Sequence, residues 1–206
     1  MKDELGRNIN YLRISVTDRC NLRCRYCMPE EGIEKKEHMD ILALEEIFEV
    51  VKVCADLGTN KIRITGGEPL VRKGLTGLIE RIAALESIKD LALTTNGSLL
   101  RRYARDLKKA GLKRINISLD TMDDKKYEYL TRGGKLKDVL EGFREALEVG
   151  LEPIKINTVL TKGFNDDEIG DFIKLTQNYD IDVRFIELMP LGHAAGFASE
   201  HYISNL

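Results

Sequence analysis

The sequence predicts an α/β protein built as an open, partial TIM-like (β/α)6 barrel of parallel strands, and three observations predict it. Short β-branched runs alternate with longer amphipathic stretches at intervals of roughly thirty residues, the rhythm of repeated βα units with right-handed crossovers. Five of the six runs alternate apolar with polar residues, so helices cover one face only, whereas a doubly wound sheet would be apolar on both. At 206 residues the chain also falls short of the ~250 that a closed eight-unit barrel typically needs.

The strands read, in order, Tyr11–Val16, Lys61–Thr65, Leu91–Thr95, Arg114–Leu119, Pro153–Leu160 and Asp182–Leu188. In the first, Leu12, Ile14 and Val16 alternate with Tyr11, Arg13 and Ser15; in the second, Ile62 and Ile64 alternate with Lys61, Arg63 and Thr65. Ile115 and Ile117, then Ile154 and Ile156, then Val183 and Phe185 repeat the pattern against Arg114, Asn116, Ser118, Lys155, Asn157, Asp182 and Arg184. The apolar face carries helices, and the polar, largely basic face lines a wet cavity. Helical periodicity runs through Leu44–Leu57, Leu75–Leu85, Leu99–Ala110, Leu136–Val149 and Asp166–Gln177. Gly58, Gly111 and Gly150 follow three of these where a left-handed residue ends a helix. Asn165 and Glu168 have the spacing of a capping box for the last one, whose start also carries Asp166-Asp167. Asp123–Lys126 and Gly133-Gly134 read as loop and surface, and Lys108-Lys109 and Arg101-Arg102 as ordinary helix faces. No linker interrupts the pattern, so residues 1–206 form a single domain.

Composition narrows the function classes. With 32 basic and 34 acidic residues, seven Tyr, six Phe and no Trp, the chain lacks the basic, aromatic footprint of a nucleic-acid binder. No apolar run approaches the ~18 residues of a membrane helix, and Met1-Lys2-Asp3-Glu4 does not lead into a signal peptide. Clustered thiols without an export signal point to a metal site in a reducing cytoplasm.

Those thiols are Cys20, Cys24 and Cys27, three within eight residues immediately after the first strand. Four thiolates would close a metal site; three leave a coordination position open for substrate and chemistry. One reading is zinc completed by a histidine, from His38, His193 or His201, none at regular ligand spacing; the other is a [4Fe–4S] cluster with one free iron. Cys54 lies in a helical pattern as a small core residue. Tyr26, inside the triplet, packs or flanks a nucleobase. The other unusual clusters follow strand ends, where ligands gather in parallel folds: Gly66-Gly67-Glu68-Pro69, Thr94-Thr95-Asn96-Gly97, Ser118-Leu119-Asp120 and Glu187-Leu188-Met189-Pro190.

The spacing Cys-x-x-x-Cys-x-x-Cys with an aromatic before the last Cys, joined to Gly66-Gly67-Glu68-Pro69 after the second strand, resembles the radical S-adenosylmethionine (SAM) superfamily. Within it, Leu12–Asn21, Lys61–Leu70, Leu93–Gly97 and Arg184–Met189 resemble the molybdenum cofactor biosynthesis protein A family, the GTP 3′,8-cyclases, with similarity running the length of the chain. The resemblance implies a lyase in which a reduced [4Fe–4S] cluster splits SAM into methionine and a 5′-deoxyadenosyl radical. That radical takes hydrogen from C3′ of GTP, and the carbon radical attacks C8. It further implies an electron donor such as flavodoxin or ferredoxin, and a second protein that turns the product into cyclic pyranopterin.

Residue by residue, the resemblance makes Cys20, Cys24 and Cys27 the cluster ligands. It places Tyr26, Gly67, Ser118 and Met189 at SAM, and Arg13, Arg63, Thr94 and Lys155 at GTP. Strand parity independently puts Arg13, Arg63, Ser118 and Lys155 on the polar face. Three cations converging there call for an anion such as a triphosphate, whereas each taken singly is a solvated or salt-bridged side chain. For Thr94 and Ser118 the simpler role is bonding nearby backbone. Family members also carry three further cysteines for a second cluster that binds guanine, and a Gly-Gly tail. Here only Cys54 follows Cys27. The expectation is a chain truncated before that region, with SAM cleavage intact, the GTP step impaired, and an uncovered barrel mouth that promotes self-association. A different radical SAM enzyme acting on a peptide, or a non-catalytic metal-binding fragment, are the alternatives.

Overall fold

Alternating Ile, Leu and Val along six short runs fixes which face of each strand is buried, and the structure stacks those faces into one sheet. In this computed structural model residues 2–34, 40–190 and 194–204 are described, which leaves His38 and His193 outside. The strands are β1 (Tyr11–Ser15), β2 (Lys61–Thr65), β3 (Asp90–Thr95), β4 (Arg114–Ser118), β5 (Ile154–Leu160) and β6 (Ile181–Glu187). They lie in the order β1-β2-β3-β4-β5-β6, every neighbouring pair parallel. β1 and β6 do not pair with each other, so the barrel is open, as its length requires.

The helices are α1 (Leu44–Asp56), α2 (Leu75–Ala83), α3 (Leu100–Lys109), α4 (Asp124–Thr131), α5 (Leu136–Glu148), α6 (Ile169–Asn178) and α7 (Ala194–His201). Ile62, Ile64, Leu91, Leu93, Ile115, Ile117, Ile154 and Ile156 point to the helix side and are buried there. Val51, Ile79, Ile82, Leu107, Val139, Phe143 and Phe172 from the helices join them in one core. At the open edges the same face is thinner: Leu12 and Ile14 of β1, and Val183 and Phe185 of β6, are only half-buried. On the opposite face Ala92 and Asn116 of the two middle strands have no exposed surface.

Local signals explain most boundaries. Gly58, Gly111 and Gly150 take φ of 101°, 95° and 73° behind their helices, the left-handed ends the sequence predicts. Gly77 is different: it sits exposed in α2 with nothing within 4 Å of where a Cβ would stand. Gly77→Ala is therefore expected to stabilise the chain by about 0.4–1 kcal/mol, read as a raised urea midpoint at unchanged m-value.

Two expectations are corrected. The Asn165/Glu168 capping box does not form, because both side chains are drawn elsewhere. Asn165 donates to the carbonyls of Asp120 (2.6 Å) and Val159 (2.9 Å), and Glu168 accepts from Thr121 Oγ1 (2.7 Å) and Met122 N–H (2.6 Å). At the start of α1, by contrast, the Glu46 carboxylate reaches back to accept from the Ala43 N–H at 2.7 Å, half of such a box, since alanine has no side-chain acceptor to return the bond. The stretch Asp123–Lys126 is no loop: the Asp123 carboxylate accepts from Lys126 N–H at 2.8 Å and caps α4. Only Tyr127, Leu130 and Thr131 of that helix are buried, too short a period to show against its charges. His201 lies on α7, which the sequence did not predict.

Candidate active site at the carboxyl ends of the strands

The loop after β1 carries Cys20 and Cys24, both half-buried, and Cys27, exposed; all three are free thiols. Main-chain turns shape it, with Cys27 N–H and Met28 N–H both donating to the Cys24 carbonyl at 2.9 and 3.0 Å. It docks on the end of α4 through Arg23 N–H to Thr131 O (3.2 Å) and Arg25 N–H to Leu130 O (2.9 Å). Cys20 Sγ accepts from Leu22 N–H at 3.4 Å and from Asn96 Nδ2 at 3.8 Å, bonds that favour a thiolate. Burial pushes all three thiols up; Cys24 also feels Asp120 and both other thiols, and Cys27 feels Cys20 and Asp120, so the sulfurs lie near one another. Binding a metal there must release protons.

This donor set fits an iron–sulfur cluster. It is all sulfur, and among the described residues no three His, Cys, Asp or Glu side chains are gathered tightly enough for a single ion. Zinc–sulfur bonds of about 2.3 Å would demand that closer grouping, and a multi-iron cluster does not. His201, the described candidate for a zinc ligand, packs on Phe197 at 4.5 Å and bonds the Lys162 carbonyl at 3.1 Å.

Tyr26 donates its hydroxyl to the Asp120 carboxylate at 2.6 Å, tying the loop to the end of β4; the other Asp120 oxygen accepts from Val159 N–H at 2.8 Å. Burial raises the Asp120 carboxyl to about 6 even though both bonds pull it down. The Gly-Gly segment after β2 lies against the approach to Cys20, with Gly67 N–H to Thr17 O at 2.7 Å and Glu68 N–H to Arg19 O at 2.8 Å. Glu68, fully buried, accepts from Leu70 N–H (3.0 Å), Thr95 Oγ1 (2.7 Å) and Asn96 N–H (2.7 Å). Three loops thus meet at the cysteines, and Asn96 and Asn21 extend the network to Ser98.

Inside the sheet, Arg13 and Arg63 stand side by side in register on β1 and β2. Burial, with Arg114, Arg13 and Arg184 nearby, pulls the Arg63 guanidinium below its usual range, and its Nε has no partner. Lys155 is not the uncompensated cation that the sequence suggested. It pairs with Asp182, which is depressed in turn, just as the Arg114 fork pairs with Asp90 at 2.7 and 2.8 Å. Arg13, Arg63 and Arg184 have no acidic partner among the described residues, so the net field remains positive. Thr94 accepts from Asn116 Nδ2 at 3.4 Å, Ser118 stands beside Asn157, and Met189, beyond β6, is 63% exposed. Sequence reasoning placed Glu68 and Asp120 only within strand-end clusters and Arg184 only on the polar face; their roles, holding Thr95 and Asn96, anchoring Tyr26 and adding charge beside Arg63, come from the structure.

An open parallel barrel with a three-cysteine loop after its first strand is the architecture of one superfamily. Residues 14–176 match the family model described as the radical SAM superfamily, and the chain belongs to it. Along its length it is similar to proteins named GTP 3′,8-cyclase. It is 58% identical to that of Alkaliphilus metalliredigens over 205 residues, covering 100% of this chain and 64% of the relative. It is 65% identical to that of Peptoclostridium acidaminophilum over 188 residues, covering 91% of this chain and 58% of the relative. The chain therefore spans just under two thirds of these relatives. Among solved structures, Streptococcus suis SuiB bound to S-adenosylmethionine superposes with a TM-score of 0.69 at 23% identity, over 85% of this chain and 39% of that one, a likeness of fold.

Proposed function

We propose that this chain is the radical SAM core of a GTP 3′,8-cyclase, a lyase of molybdenum cofactor biosynthesis working in the cytoplasm, and that residues 1–206 form one domain. The observation that carries the reading is the three-thiol loop set on the same rim as a lumen whose cations outnumber their acidic partners. When bound and reduced, the cluster would supply the electron that splits SAM, the chemistry needed to open a reaction at C3′ of GTP. Cys20, Cys24 and Cys27 hold the cluster. Tyr26, Gly67, Ser118 and Met189 receive SAM, with Tyr26 fixed in place by Asp120. Arg13 and Arg63 meet the triphosphate, helped by Lys155 and by Thr94. Partial desolvation of Arg63 makes an arriving anion more favourable than in water. The electron donor is a flavodoxin or ferredoxin, and the product passes to a protein that forms cyclic pyranopterin.

With four cysteines, three of them in the loop, these residues supply thiols for one such cluster. Reconstituted anaerobically with iron and sulfide, then reduced with dithionite, the chain is expected to form 5′-deoxyadenosine from SAM while yielding little cyclised GTP. Chromatography of both products with GTP, with other nucleotides and with peptides is the test. Nucleoside release stimulated by a peptide and indifferent to GTP would replace this reading with that of a peptide-modifying enzyme. No nucleoside despite a full cluster would make the chain a metal-binding fragment.

A further inference from the structure

Arg132 is the one non-glycine residue with a positive φ among the described residues, at φ 54° and ψ 57°. It occupies the left-handed position that ends α4, where glycine is the unstrained choice. The helix end needs nothing from its side chain, because the main-chain N–H groups of Arg132 and Gly133 both reach the Glu128 carbonyl. The guanidinium reaches into the cysteine loop instead. Its Nη1 donates to the carbonyl of Arg23 at 2.7 Å and to that of Met28 at 2.9 Å. Those two carbonyls bracket the segment that begins with Cys24 and ends with Cys27. The nearest carboxylate, Glu30, stands at 3.8 Å and is 82% exposed, so the side chain is held by the loop more than by an ion pair.

We infer that Arg132 is a positioning residue of the cysteine loop: by tying the carbonyls on either side of Cys24 and Cys27 with one nitrogen, it fixes the span between two thiols and governs how firmly a cluster is retained. A strained backbone persists where a side chain is needed at that point, and beyond its 3.8 Å approach to the exposed Glu30 this side chain's contacts are the two loop carbonyls. The inference rests on the reading of the three cysteines as cluster ligands. Outer contacts that orient metal ligands change retention by about 10- to 100-fold when removed.

The test uses the whole chain, reconstituted anaerobically with ferrous iron and sulfide, and follows the loss of cluster absorbance and iron after addition of EDTA. Arg132→Gly suits the left-handed backbone and leaves the main-chain docking of Arg23 and Arg25 untouched, so circular dichroism and the urea midpoint are expected to match the parent. Cluster loss is expected to be about 10- to 100-fold faster. Arg132→Met, with a side chain of similar reach and no donor, keeps the backbone strain and is expected to lose its cluster as fast. Loss at the parent's rate in both variants would overturn the assignment. If the parent takes up no cluster, the reading of the cysteines fails first, and the role of Arg132 with it.

Discussion

Gly67→Ala is expected to destabilise the chain by about 3–5 kcal/mol and to abolish binding of SAM. A Cβ on Gly67 would fall against the carbonyl oxygen of Arg19, 2.6 Å from that of Asp18 and 2.7 Å from the Arg19 carbonyl carbon. These are main-chain atoms and cannot swing aside as a flexible side chain would. Separating the two segments breaks the bonds from Gly67 N–H to Thr17 and from Glu68 N–H to Arg19. It also unseats the Glu68 carboxylate from Thr95 and Asn96, leaving buried donors unpaired. Against a total stability of about 5–15 kcal/mol, that loss removes a large fraction. Urea denaturation of the cluster-free, reduced chain measures the first part, and equilibrium dialysis of SAM with the reconstituted chain the second. The comparison with Gly77→Ala sharpens the result: the same added methyl is expected to act in opposite directions, because one glycine faces backbone and the other open space. A Gly67→Ala chain as stable as its parent would show that the two segments can part at little cost.

The same loop shows how much of the site the sequence could disclose. Five alternating runs name the buried face of their strands, because parity is a local property and Ile62 and Ile64 need no partner to declare it. Three cysteines within eight residues are equally local. What joins them is not. Glu68 meets Thr95 across 27 positions and Tyr26 meets Asp120 across 94, and neither pair leaves a periodic trace. The acidic partners of Arg114 and Lys155 come from neighbouring strands, so cations that look alike along the chain end up divided into compensated and uncompensated ones. α4 was hidden for a related reason. Its apolar face spans little more than a turn, and its value lies in its last residues, where Leu130, Thr131 and Arg132 hold the cysteine loop.

Asp120→Asn is expected to abolish the pH dependence that this buried carboxylate imposes. In the folded chain its carboxyl titrates near 6, raised from an ordinary 3.8 by burial, which outweighs the Tyr26 and Val159 bonds that favour the anion. Between about pH 4 and pH 6 the native state therefore binds more protons at this position than the unfolded state does, and the parent must lose stability as pH rises. Above pH 6 both states are ionised and the loss is complete. Two pH units correspond to about 2–3 kcal/mol, which Asn, having no proton to lose in this range, does not forfeit. Taken as parent minus variant, the free energy of unfolding of the cluster-free chain should fall by that amount between pH 4 and pH 7. The depressed Asp90 and Asp182, and the raised Glu68, titrate alike in both chains and cancel in the difference. A difference that instead grows with pH would mean that the Tyr26 hydroxyl and the Val159 N–H more than offset burial.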